Sequence, residues 1–283
     1  MGYAGICSPN VQNNSDDYFN GDNLKEMWIN ISQGNSSNCG EKTPSGNVAP
    51  VADAGPNYFI PKSTAFILKG SATDEDTDDV LTYTWEQSDA TPAPMPPQST
   101  STAGPAFRSL SPTTSPDRFM PEFSTVLSGS LSSTWEVVPS VARTMDFLLT
   151  VRDNSILGGN SSSDQVVISV VETTPFEVQT PPTWAPGSTQ TVNWTVGETD
   201  IAPISCETVT IYFSEDGIDF STILAEEVPN SGSAEITLPN IANTTEARIL
   251  VEAVDHIFYS VSDVFDVNTT QDFNINALNG DQS

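Results

Sequence analysis

After residue 50, apolar and polar residues alternate with a period of two along most of this chain, the mark of strands buried on one face. Such runs fall at 64–68, 80–86, 145–151 and 165–170. A second series follows at 176–178, 189–194, 208–214, 234–238, 247–254 and 263–267, with turn signals such as Glu215-Asp216-Gly217 between them. Short strands punctuated in this way predict a mainly β fold built as two β-sandwiches. Helical periodicity occurs once. Leu24, Met27, Trp28 and Ile31 stand at i, i+3, i+4 and i+7, with Asp22 as N-cap and Gly34 as stop, and predict a helix over 23–31. A helix this short cannot keep its apolar stripe in water by itself, so it must dock on something.

Between the two patterns, residues 40–50 read as a linker. The expected divisions are 1–45 with the helix, 46–172 for the first sandwich, 173–268 for the second, and 269–283 as tail or linker. One stretch resists the pattern. Residues 88–139 form a long insertion rich in Pro, Ser and Thr, yet Phe107, Phe119, Met120, Phe123 and Trp135 within it are too apolar to stay solvated. Periodicity does not say where they go.

Charge narrows the partners. With 9 basic and 37 acidic residues the net charge is −28, which repels nucleic-acid phosphates and anionic lipid. The same acidity in a chain poor in apolar residues would signal disorder. Here 37% hydrophobic content and five Trp supply packed cores instead. No apolar run reaches the roughly 20 residues a membrane helix needs. The expectation is a secreted, extracellular protein.

Candidate chemistry is sparse. His256 is the one histidine, so a three-ligand zinc site cannot be assembled; a Ser-His-Asp or Cys-His hydrolase would need His256 as its base, but it sits where strand residues give way to a loop, and a surface or hairpin histidine is expected. Cys206 has no obvious partner and reads as a half-buried thiol. Trp85 and Trp194 lie in strands and are expected in the cores, while Trp184 is either a surface aromatic or packed at a Pro-rich strand entry. The strongest signal is the acidic loop 74–79. Asp74, Asp76 and Asp79, joined at one end of the sandwich by Asp53 and Asp153, can form a calcium clip, because calcium takes six to eight hard oxygens. The same residues can equally form a solvated acidic turn.

Three resemblances extend this reading. Met1-Gly2-Tyr3-Ala4-Gly5-Ile6-Cys7, Asn10, the Ser15-Asp16-Asp17-Tyr18-Phe19 stretch and the helix at 23–31 resemble the Met-turn segment of the reprolysin-like branch of the metzincin zinc endopeptidases. Residues 48–172 resemble polycystic-kidney-disease (PKD) and cadherin-like modules, through Ala52-Asp53-Ala54-Gly55-Pro56, the Leu68 to Asp79 stretch and Leu81-Thr82-Tyr83-Thr84-Trp85. The Trp194 strand, the Ser-Glu-Asp-Gly hairpin and Val264-Phe265-Asp266-Val267 are similar to fibronectin-III-type repeats of bacterial secreted enzymes. These imply immunoglobulin-like sandwiches after a remnant of a metzincin C-terminal lobe, with Met1 as a structural floor rather than a catalytic group. The first resemblance also implies a Cys7–Cys39 disulfide. The H-E-x-x-H-x-x-G-x-x-H helix would lie in a catalytic domain preceding this chain in cis, so zinc would belong to the parent protein and this chain would be inactive. The implied function is a non-catalytic C-terminal fragment of a secreted zinc metalloendopeptidase, its sandwiches acting as spacers or substrate-docking modules. The alternatives are a stand-alone adhesion or carbohydrate-binding protein with an extracellular protein or glycan as partner, and a calcium-stiffened stalk.

Overall fold

The computed structural model describes residues 5, 6, 8–156 and 158–269. The chain is mainly β, with two short helices. The first helix, α1 (Gly21–Ser32), begins three residues before the first apolar position of its stripe. Asn20, not Asp22, is its N-cap, its side-chain oxygen accepting from Asn23 N at 2.9 Å, while Asp22 sits in the first turn and complements the helix dipole.

The first sandwich comprises β1 (Val51–Asp53), β2 (Tyr58–Pro61), β3 (Ala65–Leu68), β4 (Ser71–Thr73), β5 (Thr82–Gln87), β6 (Arg118–Met120), a one-turn helix α2 (Phe123–Leu127), β7 (Arg143–Arg152) and β8 (Ser161–Val171). One sheet runs β2-β8-β7-β5, with β2 parallel to β8 and the other pairs antiparallel. Facing it are the β1–β4 pair and the β3–β6 pair. The alternation of β7, with Met145, Phe147, Leu149 and Val151 all fully buried, puts one row of side chains between the layers. Phe66, Phe107 and Phe147 meet there with ring centroids 5.7–6.2 Å apart. Trp85 is buried and donates Nε1–H to Pro116 O at 2.7 Å.

The second sandwich comprises β9 (Glu177–Val178), β10 (Thr189–Thr195), β11 (Thr208–Ser214), β12 (Thr222–Pro229), β13 (Ser233–Thr237), β14 (Thr244–Ala253), β15 (Phe258–Val261) and β16 (Phe265–Val267). Its three-stranded sheet is β9-β10-β13, and β12-β11-β14 form the other side. β15 and β16 share one edge of β14: β15 pairs with 250–252, and β16 with Thr244 and Ala247. Trp194 is buried and its Nε1–H donates to Asn230 Oδ1, whose own amide donates to Thr199 Oγ1. Trp184 is buried too, edge-on to Phe265 at 5.0 Å, so it is packed and not a surface aromatic.

The two sandwiches share a sheet. β15 pairs antiparallel with β3, Phe258 opposite Phe66 and Tyr259 opposite Ala65, so a continuous order β12-β11-β14-β15-β3-β6 crosses from one to the other. The insertion at 88–139 takes up its place at this seam. β6 extends the sheet on the far side of β3, and α2 then folds over its outer face. Phe119 lies 4.7 Å from Phe123 and 5.6 Å from Tyr259, and Phe123 reaches Phe220 of the second sandwich at 5.7 Å. Polar ties complete the seam. Lys69 Nζ pairs with Glu252 at 2.6 Å, Phe176 N–H donates to Thr64 Oγ1 at 3.1 Å, and Arg248 donates to Leu127 O at 2.8 Å.

His256 lies in the turn between β14 and β15 and reaches across the same seam, its ring 6.3 Å from Tyr58 and 5.8 Å from Phe258. It is half-buried, as a hairpin histidine should be. Burial holds its pKa below the ordinary 6.5, against the opposing effects of the Ser205 carbonyl and Asp255, and Nδ1 is buried without a partner. A lowered folded-state pKa means its contribution to stability is in place above about pH 6.5 and is lost as pH falls through the folded value. Melting temperature should therefore drop between pH 6.5 and 5, and His256→Gln should flatten that part of the curve.

Because Phe258 is fully buried on β15, Phe258→Ala should cost about 3–5 kcal/mol. Calorimetry should show one transition moving as a unit; two transitions, with only the second sandwich affected, would mean that the seam does not couple them.

Candidate functional site

Three carboxylates converge at one end of the first sandwich. Asp74 and Asp79 come from the loop after β4, and Asp153 from the end of β7, each offering an oxygen within 4.8 Å of the others. The loop after β4 is shaped by its own side chains: Asp74 Oδ1 accepts from Asp76 N at 2.9 Å, and Asp79 N donates to Asp76 O. Asp153 is fully buried, and its carboxylate accepts from Ser155 N, Asn160 N and Asn47 Nδ2, the last at 2.7 Å. Asp74 Oδ2 and Asp79 Oδ2 are buried and have no hydrogen-bond partner.

Unpaired buried carboxylate oxygens facing one another are costly. The consequence is visible at Asp79, whose carboxyl is held above the usual range by burial first, then by the charges of Asp153, Asp76 and Asp74. A hard cation would relieve this. Calcium takes oxygens at about 2.3–2.6 Å, so oxygens up to roughly 4.6–5.2 Å apart can share one ion, and these three lie within that limit; magnesium dehydrates reluctantly and is seldom held by an all-protein cage.

Two of the five expected ligands lie outside this group. Asp53 is corrected: on β1 it stands opposite Ser71, three residues before Asp74, and its Oδ1 accepts from Gly55 N to close its own turn. Asp76 is adjacent, but its Oδ2 accepts from Val48 N at 2.7 Å. What sequence reasoning missed is the role of the segment before β1. Asn47 donates to Asp153 and to Gly158 O, and Asn160 Nδ2 donates to Asn47 O. The acidic cluster thus holds residues 47–48, where the N-terminal segment enters the sandwich.

That segment is attached by few bonds. Gly21 N–H donates to Glu86 Oε2 at 2.7 Å, and a Cβ at Gly21 would fall 2.4 Å from Leu148 Cδ2, so a larger residue here would have to push the Leu148 and Thr150 side chains aside. Arg152 donates to Phe19 O, and Tyr18 hydrogen-bonds Ser109. Beyond its first turn α1 stands clear. Leu24 and Met27 are half-buried, but Trp28 is 65% exposed, and Ile29 and Ile31 are also exposed.

The remaining sequence candidates are not chemically armed. Cys206 is fully buried, deeper than expected, and burial pushes its thiol up to about 11. His256 is surrounded by Tyr58 and Phe258 rather than by other metal ligands, so the described residues do not fit a catalytic zinc. Met1 and Cys7 lie outside the described residues, and with them the Met-turn and the Cys7–Cys39 disulfide; Cys39 itself is exposed.

No protein-family model matches the chain, and no curated protein matches it. Among solved structures it is similar to a chimeric titin Z1Z2 carrying a KLER peptide from decorin (10% identity, 79% of this chain and 99% of that one, TM-score 0.24). It is also similar to the chicken CNTN1 FN1–FN3 domains (14% identity, 80% and 68%, TM-score 0.26). Drosophila N-cadherin EC1–4 matches at 15% identity over 80% of this chain and 50% of that one, with a TM-score of 0.27. The strand order described above, and not these likenesses, defines the fold as paired immunoglobulin-like β-sandwiches. Among the described residues, no helix is long and apolar enough to cross a membrane.

Because Asp79 has a raised folded-state pKa, its protonated form favours the fold below about pH 3.8, and that contribution is lost as pH rises through the folded value. Asp79→Asn should therefore raise the melting temperature of the cation-free protein at pH 7 and have little effect at pH 3. A fall at pH 7 would show that the carboxylates do not repel one another.

Proposed function

We propose that this chain is the non-catalytic C-terminal part of a secreted zinc metalloendopeptidase, in which the paired sandwiches are an accessory module that spaces or docks substrate. The observation that carries this reading is α1. Leu24 and Met27 of its apolar stripe are half-buried, while Trp28, Ile29 and Ile31 remain uncovered. A preceding catalytic domain in cis would bury that stripe, in agreement with the resemblance of residues 1–31 to a metzincin C-terminal lobe. The continuous sheet across the seam favours a stiff spacer over two independent beads.

Calcium completes the proposal. Bound at Asp74, Asp79 and Asp153, it would neutralise the cluster that grips Asn47 and fix the angle at which the N-terminal segment leaves the sandwich. The sandwiches would then act as a clamped extension of the enzyme rather than as a tethered one.

Two experiments test this. Sequencing the transcript upstream of the Met1 codon should reveal an in-frame H-E-x-x-H-x-x-G-x-x-H; an unrelated sequence there would overturn the peptidase reading. Calorimetry at pH 7 should show calcium raising the melting temperature, with magnesium much weaker. At calcium a hundredfold above its Kd the gain should be about 2.7 kcal/mol, and Asp153→Asn should abolish it. An unchanged melting temperature in calcium would remove the clip and leave the peptidase reading standing.

A further inference from the structure

A cleft of about 740 Å³ lies between the N-terminal segment and the first sandwich. It is within the range of about 300–1,000 Å³ typical of small-molecule sites. One wall is the stretch from Pro9 to Asn23; the other is the end of β5 and the 105–109 part of the insertion. Glu86, on this second wall, is buried at the base; it accepts from Ser109 Oγ within its own wall and from Gly21 N of the opposite one. Tyr18 bonds Ser109, and Arg108 Nη2 donates to Gln12 Oε1 at 2.5 Å. These bonds tie the two walls of the cleft together.

We infer that this cleft binds a neutral oligosaccharide, with Asn10, Asn23, Asp16 and Arg108 bonding its hydroxyls and Phe19 stacking on a sugar face. The chemistry follows from which groups are uncommitted. The side chains of Asn10, Asn23 and Asp16 make no hydrogen bond or ion pair within the described residues, and Arg108 keeps Nη1 free. Each amide carries a donor and an acceptor side by side, the arrangement that matches vicinal sugar hydroxyls, which are donors and acceptors at once. Phe19 is 45% exposed and lines the cleft, leaving an apolar ring for the C–H face of a pyranose. Tyr18 is less suited to that task, since the Arg152 guanidinium already lies 6.0 Å above its ring.

Two competing ligand classes fit less well. An anionic ligand would meet Asp16 and Glu86 beside a single free guanidinium edge, within a chain of net charge −28. An extended peptide would need an open strand edge, but on the side of β5 away from β7 Tyr83 already exchanges backbone hydrogen bonds with Thr113, and Trp85 O accepts from Arg118 Nη1. The inference stands independently of whether a peptidase domain precedes this chain.

The test is amide NMR of the full chain titrated with neutral trisaccharides of glucose, of mannose and of N-acetylglucosamine. Titration should extend to about 10 mM, because a few neutral hydrogen bonds and one stacked ring yield only weak affinity. One of the three should shift resonances of residues 10–23 and 86–109 selectively. Asn23→Ala and Phe19→Ala change solvent-accessible side chains and should leave the rest of the spectrum intact while weakening binding about fivefold or more each. Absence of shifts with all three sugars would overturn the inference. So would binding that neither variant weakens, or a neutral hexapeptide shifting the same resonances where the sugars do not.

Discussion

The backbone pairing of β15 with β3 is the constraint on which the rest of the architecture depends. An edge strand left open is a liability, because its unpaired N–H and C=O groups invite another chain. Here the edge of each sandwich closes the other: Phe258 and Tyr259 face Phe66 and Ala65, and Ile67 N donates to Ile257 O at 2.7 Å. Both partners are short, so few hydrogen bonds join the sheets directly. Side chains on the two faces of the pairing supply the remainder. Phe66 and Phe258 are fully buried within the main core, while Tyr259, Ala65 and Ile67 are buried on the opposite face under Phe119, Phe123 and Val126.

The insertion makes sense only against that seam. A sheet that runs through two sandwiches has an outer face at the junction that neither sandwich covers, and this face carries Leu250, Tyr259 and Ile67. The 88–139 segment supplies β6 as one more strand and α2 as a cover. Arg118 locks the turn between them from below, donating to Trp85 O, Arg108 O and Glu136 while Glu136 also accepts from Glu122 N. This buried ion pair has every reason to be specific rather than strongly stabilising, since burial pulls the Arg118 guanidinium down against the pull of Glu136. Its two carbonyl contacts, to Trp85 and Arg108, fix one path for a loop that is otherwise rich in Ser and Pro.

Much of this was legible in the alternation of residues, and the failures share one cause. The strands at 82–87, 143–152, 161–171, 189–195 and 208–214 bury one face against their own sandwich, so each carries its period of two locally. β15 does not. Its four residues read as the loop after a histidine because their partner, β3, lies almost two hundred positions earlier and in another module. The same non-local logic hid the destination of Phe119 and Phe123, whose apolarity was evident while their partners were not. At the acidic end, Asp74, Asp79 and Asp153 converge as the sandwich reading expects, but Asp53, whose loop is expected at the same end, does not. Strand register puts it opposite Ser71, and register is not readable from charge. The amide of Asn47, which ties the cluster to the entering chain, had no signal at all beyond its place in a polar linker.

Charge and rigidity are linked in this molecule through that entering chain. A chain of net charge −28 swells by self-repulsion unless its densest acidic groups are neutralised or spread apart. Most are spread: Glu226 and Glu227 lie on the free outer edge of β12, where an interrupted register with β11 and a positive φ at Glu227 discourage further pairing. The exception is the convergence of Asp74, Asp79 and Asp153, at the place where residues 47–48 join the sandwich. Repulsion is thus concentrated where the N-terminal segment is attached, and the bonds that hold that segment elsewhere are few. A change in charge at the cluster acts first on Asn47 and Val48, which its carboxylates hold.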